Sequence, residues 1–184
     1  AGAGSGVWIH GSSGSIKNSV IYDNTSGGSE TSVGIASSSY TTSVINTVIY
    51  NNNARGLKVV DGAGVDIIHS IIKNNVSSND SVEINIDASA TASISYSMIP
   101  NGLNAINNDG TLTWGDGNID VNPMFVDTAN GNYNLLASSM LINAGHPDSL
   151  DSDGSRADIG AYPYLNTYVG DNGWHVSTAG NDTT

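Results

Sequence analysis

Between His146 and Asp158 the chain reads H-P-D-S-L-D-S-D-G-S-R-A-D, its densest group of hard oxygen donors. Asp148, Asp151, Asp153 and Asp158, with the Ser155 hydroxyl, are ligands of the kind Ca²⁺ takes, so a structural Ca²⁺ on this Gly-containing loop is one expectation. The loop is not an EF-hand, because Gly154 falls early and no Glu closes it. The other expectation is a plain acidic turn in which Arg156 bonds a neighbouring carboxylate. A second candidate is aromatic. Tyr22 and Tyr50 hold the same place in two related segments, and as a two-ring strip facing outward they would suit stacking on carbohydrate. Ring-on-ring packing within a sheet is the competing role.

Other familiar chemistry is missing. His10, His69, His146 and His175 are far apart, with no spacing that would hold a transition metal. Neither a G-x-S-x-G elbow nor a P-loop occurs, and there is no cysteine for a disulfide framework. Asp61 and Asp66 bracket Gly62-Ala63-Gly64 and read as turn residues rather than a paired-carboxylate centre.

These residues need elements to hold them, and the chain states its elements four times: N-S-V-I-Y-D-N at 18–24, N-T-V-I-Y-N-N at 46–52, H-S-I-I-K-N-N at 69–75 and Y-S-M-I-P-N-G at 96–102. The starts are 28, 23 and 27 residues apart, a period at which each unit must stack on its neighbours to bury its apolar face. Five residues before Ile21, Ile49, Ile72 and Ile99 stand Ile16, Val44, Ile67 and Ile94. Further upstream come stretches of period two, such as Val7-Trp8-Ile9 and Leu57-Lys58-Val59, which belong to strands. Each unit is therefore expected to form about three short strands. Stacked at about 4.8 Å, such coils would align Ile21, Ile49, Ile72 and Ile99 in one column. Ser19, Thr47, Ser70 and Ser97 would form a second column, and Asn24, Asn52 and Asn75 a third. The 23 Asn and 22 Gly suit the many tight turns this requires.

The I-x-x-N-[ST]-[VI]-I-x-[DN]-N pattern resembles the repeat of the pectate-lyase-like superfamily, especially its large bacterial surface proteins. The segments G-N-I-D-V-N-P-M-F-V-D at 117–127, N-Y-N-L at 132–135 and S-S-M-L-I-N-A-G at 138–145 are similar to that family's closing coil, although Met140 and Asn143 depart from its usual S-P-x-I-D-x-G. The resemblance implies an all-β, right-handed, single-stranded parallel β-helix. Roughly five to six coils are expected in residues 1–166, with 167–184 as a linker, a donor strand or the start of a further module. Trp174 and Val176 in that extension look like an opening strand, and pairing with the open first coil of another copy would build a head-to-tail filament.

The superfamily hosts lyases, hydrolases, adhesins and inert spacers, so the resemblance does not choose among them. A uronate lyase needs a cationic base and a carboxylate-neutralising cation, yet Lys17, Arg55, Lys58, Lys73 and Arg156 are scattered. Lys58 is expected beside Glu83 as a cross-strand ion pair. With 5 basic against 17 acidic residues, the net charge of −12 disfavours nucleic acid and anionic membranes. No 18-residue apolar run suggests membrane insertion. The expectation is a non-catalytic extracellular or cell-surface module that spaces, adheres or polymerises. A carbohydrate-active enzyme or sugar-binding domain is the alternative.

Overall fold

A computed structural model describes residues 6–25, 31–36, 39–75 and 82–165. Eleven strands form the stack: β1 (Val7–His10), β2 (Gly14–Tyr22), β3 (Thr31–Ala36), β4 (Thr41–Tyr50), β5 (Arg55–Val60), β6 (Gly64–Ile68), β7 (Ile71–Lys73), β8 (Ile84–Ile86), β9 (Thr91–Ser95), β10 (Ile106–Asn108) and β11 (Thr111–Trp114). One sheet runs β1-β3-β5-β8-β10 and the other β2-β4-β6-β9-β11, with β7 also paired to β4. Every pairing among these strands is parallel. The chain visits the two sheets in turn, which is the winding of a right-handed β-solenoid.

The aligned columns are present. Ile21 pairs with Ile49 and Ile49 with Ile72, while Ile16, Val44, Ile67 and Ile94 pair in succession. All of these are buried and belong to one inner core that also takes in Ile99. Burying each such side chain contributes about 1.5–3 kcal/mol, so the stack is held mainly by these aliphatic columns.

Two corners of the coil use left-handed backbone. Asn18, Asn46, His69 and Tyr96 have φ of 49°, 46°, 52° and 44°, and Asp23, Asn51, Asn74 and Asn101 have φ of 52°, 54°, 60° and 57°. Asn and Asp accept this region readily because their short polar side chains bond locally, His is also enriched there, and Tyr enters it at a cost. The first corner turns β2 and β4 within a single strand and separates β6 from β7.

Two polar ladders run beside the isoleucines. The Ser70 hydroxyl accepts from the Thr47 amide at 3.2 Å, and the Ser97 hydroxyl from the Ser70 amide at 3.2 Å. The Ser97 amide then donates to Asn118 Oδ1 at 3.1 Å. Asn52 Oδ1 accepts from Asn24 Nδ2 at 2.9 Å, and Asn75 Oδ1 from Asn52 Nδ2 at 2.7 Å.

Five rungs per sheet make about four full turns, fewer than the five to six coils anticipated. The difference lies in the closing segment. Beyond Ile119, which bridges to Met98, the chain leaves the stack and folds across its outer face. There the antiparallel pair β12 (Phe125–Asp127) and β13 (Asn132–Leu135) forms. In Val20-Ile21, Val48-Ile49, Ile71-Ile72 and Met98-Ile99, adjacent strand residues face opposite ways. The isoleucines at 21, 49, 72 and 99 face inward; Val20, Val48, Ile71 and Met98 face outward and form a second core with Tyr133, Leu135, Leu141 and Ile159.

Candidate functional site

The outer face carries an aromatic group that no single repeat contains. Tyr22 lies 5.0 Å from Tyr133 at 55° between ring planes, and Tyr50 lies 5.4 Å from Phe125 at 90° and 5.5 Å from Tyr133 at 64°. Tyr22 and Tyr50 are in register on β2 and β4, as their spacing anticipates. They are gathered around Tyr133 by edge-to-face packing, a favoured geometry for rings whose faces are negative and edges positive. Tyr22 remains 42% exposed, whereas Tyr133 is 2% exposed. Burial, followed by the influence of Asp23, Tyr22 and Tyr50, pushes the Tyr133 hydroxyl well above the ordinary tyrosine range.

Beside this group opens a cleft of about 320 Å³ between the end of the second sheet and the closing segment. Its apolar wall is Tyr50, Pro123, Met124, Phe125 and Leu136, and its polar groups are Lys73, Asn122 and Thr128. Lys73 follows Tyr50 in the same column. The far wall is fixed from several sides: Asn122 Oδ1 accepts from the Met124 amide at 3.0 Å, the Leu136 amide donates to the Met124 carbonyl at 2.8 Å, and the Ser139 hydroxyl donates to the Pro123 carbonyl at 2.7 Å. Met124 itself sits at φ 55°, a left-handed conformation unusual for an unbranched apolar residue.

The acidic loop is arranged differently from a cation cage. Asp158 Oδ1 accepts from the Asn143 amide at 2.6 Å and Oδ2 from the Tyr164 amide at 2.5 Å, so this carboxylate pins two distant stretches of backbone. Asp151 Oδ2 accepts from the Asp158 amide at 3.1 Å. Asp153 Oδ1 accepts from the Ser155 amide and hydroxyl at 3.0 and 2.6 Å. Asp148 points into solvent, 4.0 Å from His146 Nδ1. Among the described residues no group of three or more His, Cys, Asp or Glu is placed to hold a metal ion. The four carboxylates are thus not brought together, because backbone amides engage three of them singly. Burial raises both Asp151 and Asp158 above the usual carboxylate range, each helped by a neighbouring aspartate. Arg156 turns its Nε to the Gly145 carbonyl at 2.6 Å rather than to a carboxylate.

Two residues that sequence reasoning undervalued hold the architecture together. Glu83 was expected beside Lys58 on the outer face, but Lys58 pairs with Asn85 and Glu83 is buried, 4% exposed. Glu83 Oε2 accepts from Asn75 Nδ2 at 2.8 Å and from the Asn75 amide at 3.1 Å, closing the asparagine ladder. The signal was readable: the next position of that column is Gly102, which has no side chain to continue it. Burial raises the Glu83 carboxyl, against the lowering effect of hydrogen bonds from Asn75 and Asn74 and of the Lys73 charge.

His69 is the second. Its Nε2 accepts from the His146 amide at 2.8 Å, its carbonyl accepts from the Gly160 amide at 2.9 Å, and Tyr96 lies edge-on to both imidazoles. Burial, then the charges of His146 and Arg156, hold His69 below the ordinary histidine range, consistent with a neutral ring whose Nε2 is an acceptor. Asp66, expected in a turn, stands exposed in β6 opposite Ser43 and Ser93, while Asp61 does occupy the turn at φ 56°. Trp174 and Val176 lie outside the described residues.

Comparison of the chain with protein-family models, with curated proteins and with solved structures yields no match. The β-solenoid therefore rests on the register and ladders described above. Among the described residues no helix is long and apolar enough to cross a membrane.

Proposed function

We propose that this chain is a non-catalytic structural module, a rigid β-solenoid rod of the pectate-lyase-like type that spaces, adheres or assembles at a cell surface or outside the cell. One observation carries this reading: two columns of polar side chains that recur in the repeat are engaged in rung-to-rung bonding, from Asn24 through Asn52 and Asn75 to Glu83 and from Thr47 through Ser70 and Ser97 to Asn118. Such internal cross-linking stiffens a rod and leaves no acid, base or nucleophile of the repeats poised at a common point. Assembly is supported by the ends of the stack. Among the described residues each sheet terminates in strands paired on one side only, β1 and β2 at one end and β10 and β11 at the other. There Val7, Ile9, Ile106, Leu112 and Trp114 are only partly buried. An open strand edge backed by apolar side chains is a template for pairing.

Negative-stain microscopy and sedimentation of the full chain, beside a chain ending at residue 166, test the assembly. Filaments or concentration-dependent oligomers that need residues 167–184 support head-to-tail stacking; monomers at every concentration in both chains refute it. The competing reading is a carbohydrate-active or sugar-binding domain, favoured by the exposed rim of Tyr22 beside Tyr50. Formation of unsaturated uronate product, lost on substitution of Arg55 or Lys58, would replace the structural reading with an enzymatic one.

A further inference from the structure

The cleft beside Tyr50 has a chemistry the rod does not require. Five of its eight lining residues are apolar or aromatic, and each of the three polar ones carries a hydrogen-bond donor. Asn122 spends its Oδ1 on the Met124 amide, which leaves its NH₂ for a ligand. Thr128 offers a hydroxyl and Lys73 an ammonium. The Tyr50 hydroxyl accepts from Asn74 Nδ2 at 3.1 Å, so its own proton is free to be donated as well. No carboxylate among the described residues lies within ion-pair distance of Lys73. The charge of Lys73 is felt by the buried Glu83 but is engaged in no close ion pair, so at the mouth of the cleft the ammonium can still take an anion from outside.

We propose that this cleft binds a small aromatic carboxylate, its ring against Tyr50, Pro123 and Phe125 and its carboxylate on Lys73, Asn122 and Thr128. A volume of about 320 Å³ lies at the low end for ligand pockets and suits a single ring. The apolar wall disfavours a polyol, whose hydroxyls would be desolvated without partners. The Lys73 ammonium and the Asn122 NH₂ can only donate and the Thr128 hydroxyl can donate, so a group that only accepts, such as a carboxylate, matches them. The wall from Pro123 to Phe125 is already braced by bonds from Asn122, Leu136 and Ser139, so little ordering opposes binding. The site stands apart from the assembly reading, since it lies on the flank of the stack and uses no end strand.

Amide chemical-shift titration of the full chain tests it, with para-hydroxybenzoate, the neutral para-hydroxybenzamide and galacturonate as probes. Para-hydroxybenzoate is expected to shift the amides of Lys73, Met124, Phe125 and Thr128 saturably, and to bind about tenfold more tightly than the benzamide, as loss of one charge-assisted contact implies. Lys73→Gln should bring the benzoate to the benzamide's affinity while amides of the inner core keep their positions, which shows the variant is folded. Absence of saturable shifts with the benzoate, equal binding of the benzamide, or tighter binding of galacturonate would each overturn the proposal. Monomers in the assembly experiment would leave this result untouched.

Discussion

Replacing Glu83 by alanine should measurably destabilise this fold, although Glu83 lies outside the repeated motif. In the asparagine ladder each Oδ1 accepts the Nδ2 and the backbone amide of the preceding coil: Asn52 serves Asn24, and Asn75 serves Asn52 at 2.7 and 3.2 Å. The last asparagine needs an acceptor of its own, and Glu83 supplies it. Alanine leaves the buried Asn75 amide without a partner, at about 1–3 kcal/mol, while Asn75 Nδ2 keeps the Ile49 and Lys73 carbonyls as acceptors. Relief of the buried charge returns part of this, so a net loss of about 1–2 kcal/mol is expected, or roughly 2–8 °C in Tm for a chain of this size. Glu83→Gln keeps one carbonyl oxygen for Asn75 and removes the charge, and is expected within about 1 kcal/mol of the parent at neutral pH.

The pH dependence has a definite sign. The folded carboxyl titrates above its ordinary value of 4.5 because of burial, so the folded chain takes up this proton before the unfolded chain does. Glu83's contribution to stability therefore improves as pH falls from neutral through the folded value and levels off below the unfolded one. Urea unfolding followed by circular dichroism, at neutral pH and near pH 5, reads both effects. The parent should gain on Glu83→Gln as the pH is lowered, and the other carboxylates cancel in the comparison. An alanine variant as stable as the parent, or a glutamine variant as damaged as the alanine one, refutes the role of Glu83 as the terminal acceptor.

Four further outcomes follow from the same geometry. Asn52→Ala, which removes a buried amide in the middle of the ladder, should cost about 3–5 kcal/mol in urea unfolding, against about 1 kcal/mol for Asn24→Ala at its partly exposed end. The pKa of His69 is held below its ordinary 6.5, so its contribution is full above that value and is lost as pH falls through the lower folded value; the protection of the His146 amide relative to its intrinsic exchange rate should fall over that window. His69→Asn, which keeps a residue suited to φ 52°, should free this amide at every pH while the solenoid amides stay protected. Gly34→Ala should displace the Trp8 ring, which a Cβ there would approach to 1.9 Å, and so red-shift tryptophan emission at a cost of about 1 kcal/mol, with little change if Trp8 does not lie over Gly34.

The stack was legible in the sequence because its contacts repeat. A residue at one position meets the equivalent residue of the next coil, so Ile21, Ile49 and Ile72, or Asn24, Asn52 and Asn75, declare their partners by recurring. The closing segment meets the stack only once, and its partners cannot recur. Val20, Val48, Ile71 and Met98 nevertheless announced that a cover must exist, since each stands beside an inward isoleucine and must face outward. What no pattern could state is which residues supply the cover, and hence that Tyr50 is drawn against Phe125 and Tyr133 to make a cleft. The acidic loop was illegible for the same reason. Asp151, Asp153 and Asp158 accept from backbone amides within the loop and from Asn143 and Tyr164, contacts made once that no recurring position could announce.

The same contrast indicates where new properties can arise on this scaffold. Inside the coil every substitution is felt by the rungs above and below, so the columns tolerate little beyond volume-conserving change. At the first corner the asparagines of the two early coils give way to His69 and to Tyr96, of which Tyr96 accepts the left-handed backbone less readily. Those two residues meet His146, and the His69 carbonyl also receives the Gly160 amide, so local strain in the coil accompanies anchorage of the outer segment. Breaking that anchorage should loosen the cover and the cleft beneath it before it melts the rod. If His69→Asn instead lowered the stability of the inner amides as much as that of the closing segment, the two cores would be one cooperative unit, and a flank site separable from the rod would lose its physical basis.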